Sequence, residues 1–109
     1  MRQAGILASA CNYALDHNLH RMEKDHQAAL KIAKCLMLHS WARLEFGLPE
    51  TNIVWVEIAA EFVDAFEQKL LAGGVKAFRR GHSFRFVTHL NLTEKDITRT
   101  CEILSAIHF

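Results

Sequence analysis

An arginine at position 85 stands in the middle of the run Phe84-Arg85-Phe86-Val87-Thr88-His89-Leu90. Side chains of a strand alternate between faces, so the run predicts Phe84, Phe86, Thr88 and Leu90 on one side and Arg85, Val87 and His89 on the other. A guanidinium keeps its proton, and placing it among apolar neighbours is costly unless an anion meets it. Its planar fork suits a carboxylate or a phosphate held by two parallel hydrogen bonds. Arg85 is therefore the candidate binding residue, its anion the carboxylate of an amino-acid substrate, in a site this chain does not complete alone. The competing reading is a structural ion pair with Glu45, Glu57 or the chain's own carboxylate.

Other chemistry-bearing residues point less far. Lys76, Arg79, Arg80 and His82 cluster at the turn before the same strand, and with Phe84 and Phe86 as stacking platforms they would make a nucleic-acid footprint. The alternation puts both phenylalanines on the core side, away from Arg85, which leaves a solvated turn and no nucleic-acid partner. His17 and His20, with Asp16, Asp25 and His26 nearby, have no second pair at zinc-motif spacing; they read as a polar helix junction rather than a metal site. The six lysines (Lys24, Lys31, Lys34, Lys69, Lys76 and Lys95) fall on polar faces or at turns, where none is buried enough to form an imine. No G-x-S-x-G or Walker-type loop is present. Cys11, Cys35 and Cys101 lie far apart among apolar neighbours and read as buried thiols of a reducing compartment, cytosol or organelle matrix.

The elements that must position Arg85 follow from the hydrophobic pattern. Ile6, Leu7, Ala10, Cys11, Ala14 and Leu15 recur at helical spacing from Ala4 to about His17. Asn18 then offers a capping oxygen for a second helix to about Leu38, with Leu19, Met22, Ala29, Ala33 and Leu36 on its apolar stripe. Met1 leads almost at once into the first helix, as the start of a piece of a longer protein would. Trp41 to Phe46 is irregular or a short strand, and Gly47 to Glu50 is a turn. Asn52 to Ile58 is rich in β-branched and aromatic residues and reads as a strand. Glu61 to Ala72 is a third helix, burying Phe62, Phe66 and Leu70 and stopped by Gly73-Gly74. Val75 to Phe78 is a short strand, Arg79 to Ser83 turns it back into the Arg85 strand, and Thr93 with Asp96 caps a last helix. The order α-α-β-α-β-β-α predicts an α+β fold, a small and largely antiparallel sheet with helices on one face. With 109 residues, 50% of them hydrophobic and a net charge of +1, the chain is one globular domain with no bulk charge to attract nucleic acid or membrane.

The wording of several segments adds to this. Met1-Arg2-Gln3-Ala4-Gly5, Asp25-His26-Gln27-Ala28-Ala29, Thr51-Asn52-Ile53-Val54 and Arg85-Phe86-Val87-Thr88-His89-Leu90 occur in this order in the low-specificity L-threonine aldolases. The chain resembles the C-terminal portion of those enzymes along its whole length, departing at Asn91, where an Asp is expected. The resemblance implies part of a fold-type I enzyme dependent on pyridoxal 5′-phosphate, which cleaves L-threonine or L-allo-threonine to glycine and acetaldehyde. It implies that residues 1–40 link to an absent large domain and that residues 41–109 form the small α+β domain. It implies Arg85 as the substrate-carboxylate residue and Arg2 near the cofactor phosphate or a subunit boundary. The family's Schiff-base lysine lies upstream, so no catalytic residue is expected here and the chain alone should neither hold the cofactor as an imine nor cleave threonine. A homo-oligomeric full enzyme, dimer or tetramer, in cytoplasm or mitochondrion is the matching expectation. The readings from other classes are a non-catalytic protein-interaction module using the apolar face of the first helix, and a small nucleic-acid-binding domain.

Overall fold

The computed structural model describes residues 2–109. Helix α1 spans Ala4–His17 and a 3-10 turn at Leu19–Arg21 leads into α2, Met22–Met37. Strands β1 (Ala42–Leu44) and β2 (Ile53–Ile58) follow, then a 3-10 turn at Ala60–Phe62, α3 (Val63–Ala72), β3 (Phe78–Arg80), β4 (Ser83–Val87) and α4 (Glu94–Ser105). The fold is α+β, and its one sheet has the order β1-β2-β4-β3 with every neighbouring pair antiparallel. The stretch left open between irregular and strand, Trp41 to Phe46, supplies β1.

Alternation along β2 and β4 divides the sheet into two faces. Val54, Val56, Ile58, Phe84 and Phe86 are buried on one of them. Against them pack Ala29, Ile32, Ala33 and Leu36 of α2, Val63, Phe66 and Leu70 of α3, and Ile97 and Leu104 of α4. The Phe66 and Phe84 rings meet edge-on with centroids 4.9 Å apart, a favoured aromatic geometry. Each of these helices contributes a single apolar stripe, so burial of that stripe on the sheet, rather than helix propensity, holds it in place.

Several local expectations are corrected. Asn18 makes no capping bond with its side chain; its backbone is in the right-handed helical region, not the extended conformation from which a cap reaches forward. Leu19 and Met22 are exposed, and α2 buries its stripe only from Ala29 onward. None of the apolar residues of α1 is buried, and Cys11 among them is an exposed thiol. Cys35 and Cys101 are half-buried, and loss of hydration, followed by the neighbouring Cys35, pushes the Cys101 thiol up to about 12.

The third strand begins later than Val75, because that residue belongs to the stop of α3. Gly74 has φ +80°, and the backbone N–H groups of Gly74 and Val75 donate to Leu71 O (3.0 Å) and Leu70 O (2.8 Å), which is the Schellman arrangement. Val75 has spent its donor there, so pairing starts at Phe78. Arg80 is then paired with Ser83, leaving a two-residue loop, Gly81-His82, with Gly81 at φ +62°. The capping box is found as read: Asp96 N donates to Thr93 Oγ1 (3.2 Å) and Thr93 N donates to the Asp96 carboxylate (2.9 Å).

Candidate functional site

The sheet face opposite the helices presents Arg43 and Glu45 from the β1 side, Ile53, Trp55 and Glu57 of β2, Ser83, Arg85 and Val87 of β4, and Phe78 and Arg80 of β3. Register places Arg85 beside Trp55 on one flank and Phe78 on the other. Its guanidinium carbon lies 5.0 Å from the Phe78 ring centroid and 5.9 Å from that of Trp55. Flat aromatic walls stabilise a cation through the ring quadrupole without consuming its hydrogen-bond donors.

No acceptor among the described residues meets those donors. Among the described residues the ion pairs are Arg43 with Glu57, and Arg79 with Asp64 (2.9 Å) and Glu67 (2.5 Å). Arg85 is in none of them, and its Nε is buried with no hydrogen-bond partner. Neither of the two acids weighed against it pairs with it. Glu57 holds Arg43. Glu45 accepts from Ser83 Oγ at 2.9 Å with one oxygen, and its other, Oε2, is buried with no partner among the described residues. A buried donor left unpaired costs about 1–3 kcal/mol. Arg85 is thus a half-buried cation between two aromatic rings, in no ion pair among the described residues. Arg80 adds a second charge on the same face, its guanidinium carbon 4.6 Å from the centroid of the same indole.

Two devices hold the Arg85 strand where it is. Phe84 and Phe86 anchor it in the core from the opposite face. Beyond its last paired residue, Thr88 N donates to Asn52 O (2.9 Å) and Asn52 Nδ2 donates to Thr88 O (2.7 Å), while Thr88 Oγ1 donates to Asp25 O of α2 (2.7 Å). The strand therefore ends at Val87, and Thr88 is a knot between sheet and helix rather than a further strand residue. Leu90, expected on the core face, is 48% exposed in the turn that follows. Sequence reasoning missed the Thr88 knot, although a hydroxyl on an otherwise apolar face signals a required partner.

The other residues singled out are scattered. Arg2 is exposed ahead of α1, and among the described residues no hydrogen bond or ion pair links it to the sheet. Arg79, from the basic turn, is taken by Asp64 and Glu67, whose bonds raise its pKa further, so it is not free for a phosphate. His17 stacks on Tyr13 with centroids 4.0 Å apart and donates from Nδ1 to Tyr13 O. No group of three potential metal ligands occurs among the described residues. All six lysines are exposed, a setting that does not fit the buried amine needed for imine formation with an aldehyde cofactor. No helix among the described residues is long and apolar enough to cross a membrane.

No protein-family model matches the chain. It is 32% identical over 97 residues to the low specificity L-threonine aldolase of Escherichia coli, an alignment covering 89% of this chain and 28% of that protein. Low-specificity L-threonine aldolase 1 of Arabidopsis thaliana is 28% identical over 104 residues, 92% of this chain and 29% of that one. The chain thus spans between a quarter and a third of the length of these relatives. Among solved structures, the aminotransferase TlmJ from Streptoalloteichus hindustanus superposes with a TM-score of 0.63 at 17% identity, covering 78% of this chain and 31% of its own. That similarity is one of fold.

Proposed function

We infer, for a chain that resembles the low-specificity L-threonine aldolases over 89% of its length, that it is the C-terminal part of such an enzyme and supplies the residue that pins the substrate carboxylate. The observation that supports this is the Arg85 guanidinium, half-buried between Trp55 and Phe78 with a buried Nε that no acid of its own domain engages. Pyridoxal 5′-phosphate, when bound to the whole enzyme, would withdraw electrons from the substrate's α-carbon so that threonine or allo-threonine splits to glycine and acetaldehyde. This chain's share is orientation: Arg85 receives the carboxylate in its fork, Trp55 and Phe78 keep the fork from swinging, and Phe84, Phe86 and Thr88 fix the strand beneath. Fixing one end of the substrate in this way sets which bond at the α-carbon faces the electron sink. The six exposed lysines do not fit the cofactor's imine, so the lysine belongs to the rest of the enzyme and the chain by itself is inactive. Residues 1–40 then link to the large domain, with Arg2 at the cofactor phosphate or a subunit boundary, in an assembly of identical subunits.

The test follows the Trp55 indole resonance of the isolated chain, assigned with Trp55→Phe, during titration with L-threonine. Arg85→Gln is expected to weaken binding at least tenfold, the size of one charge-assisted contact. Binding that Arg85→Gln leaves unchanged removes the carboxylate reading. Borohydride reduction of the chain after incubation with the cofactor, followed by mass spectrometry, should find no modified lysine; a labelled lysine refutes the inactive-fragment reading.

A further inference from the structure

Arg85 does not sit alone on its face. Arg80 reaches from β3 across the Ser83 row and lies over the same indole, so two guanidinium carbons are held within 5.9 Å of the Trp55 centroid. Neither takes part in an ion pair among the described residues, although the arginines on either side do: Arg79 spans Asp64 and Glu67, and Arg43 holds Glu57. Two arginines are neutralised and two others face one ring unpaired. The one acid near them that holds no arginine among the described residues is Glu45, bonded to Ser83 Oγ at 2.9 Å. Two positive charges against one leave an excess at that spot. Like charges brought together repel, and a counter-anion between them relieves that repulsion. One carboxylate satisfies one fork. A molecule with two acid groups satisfies both, and the flat indole between them gives its short carbon skeleton an apolar floor.

The geometry points to Arg80 as a specificity residue: we propose that the site takes an amino acid whose side chain ends in a second acid group, the first carboxylate on Arg85 and the second on Arg80. This rests on the reading of Arg85 given above and narrows its substrate class from β-hydroxy amino acids in general to acidic ones. Arg80 is exposed, so its contribution is that of a solvated ion pair, about fivefold in affinity, and it weakens as salt rises.

The experiment compares L-threonine with 3-hydroxyaspartate, which carries a carboxylate where threonine has a methyl, in the full 109-residue chain. Binding is read from the Trp55 indole resonance at low salt, and thermal melts check that each variant is folded. 3-Hydroxyaspartate is expected to bind about fivefold more tightly than threonine. Arg80→Gln should erase that preference and leave threonine binding as it was, and Arg79→Gln, which changes the charge equally next door, should leave the preference intact. Equal affinity for the two ligands in the unaltered chain overturns the proposal. So does a preference that survives Arg80→Gln, or one lost as fully in Arg79→Gln, which would make it an effect of overall charge. If Arg85→Gln leaves threonine binding unchanged, the carboxylate reading has failed instead, and this proposal with it.

Discussion

A buried donor without a partner is a liability to the fold that carries it, and Arg85 has one in its Nε. Replacing the side chain with an apolar one of similar length therefore removes an unsatisfied donor while leaving an apolar chain beside Trp55 and Phe78. Arg85→Met should leave the chain as stable as before or more stable by about 1 kcal/mol, as measured by urea denaturation, while carboxylate binding disappears. A clear loss of stability would mean the guanidinium has a structural partner in solution. This much was legible in the sequence, because period two along β4 separates Arg85 from Phe84 and Phe86 without any knowledge of the rest. What was not legible is the company it keeps. Trp55 and Phe78 become its neighbours, and Arg80 joins them, only through the registers of β2 and β3 with β4, and register is a property of pairs of strands.

Elements whose ends have local chemistry were the easiest to place. The Thr93–Asp96 box marks the start of α4 because both of its bonds lie within three residues, and α3 ends where two glycines allow it. The box also has a pH dependence. Bonds from the Thr93 backbone, then its hydroxyl, hold the Asp96 carboxyl below the usual carboxylate range. A depressed value in the folded state means stability that is complete above about pH 4–5 and fades as pH falls through the carboxylate range. Asp96→Asn should therefore flatten the acid limb of a stability-against-pH curve, measured by denaturation between neutral pH and about pH 3; an unchanged slope would show that Asp96 titrates alike folded and unfolded. Thr93→Ala should cost about 1 kcal/mol at neutral pH. Where elements were misplaced, backbone bookkeeping at their ends was the cause. The start of β3 moved because Val75 N–H is bonded back to α3, and β4 stopped early because Thr88 turns its hydroxyl to α2. Gly81-His82 did carry a hairpin signal, since a glycine first in a two-residue loop suits a mirror-image turn.

Across the molecule, stability is unevenly shared. The core joins α2, α3 and α4 to one face of the sheet, and α1 buries none of its residues while exposing Ile6, Leu7, Tyr13 and Leu15. A helix of 14 residues without tertiary support is marginal in water, and regions with few buried contacts open first. Removing residues 1–17 should shift the melting temperature of the remainder by no more than about 2 °C, less than a single-kcal/mol change produces in a domain this size. Hydrogen exchange should be fast throughout α1 and slow in α2 from Ala29 to Leu36. A large drop in melting temperature on truncation would show that α1 packs on the core in solution. The apolar periodicity of α1 identified the helix correctly but misled about Cys11, because periodicity reports that a face wants covering and not which residues cover it.

The sheet's two borders are β1 and β3, each three residues long, and they carry Arg43, Arg79 and Arg80. Strand borders this brief and this cationic make poor templates for adding a strand from another chain. Growth of the molecule by lateral stitching of backbones is thereby discouraged. The broad surfaces, the apolar side of α1 and the arginine-bearing side of the sheet, are left as the places where contact would be made by side chains and could be undone.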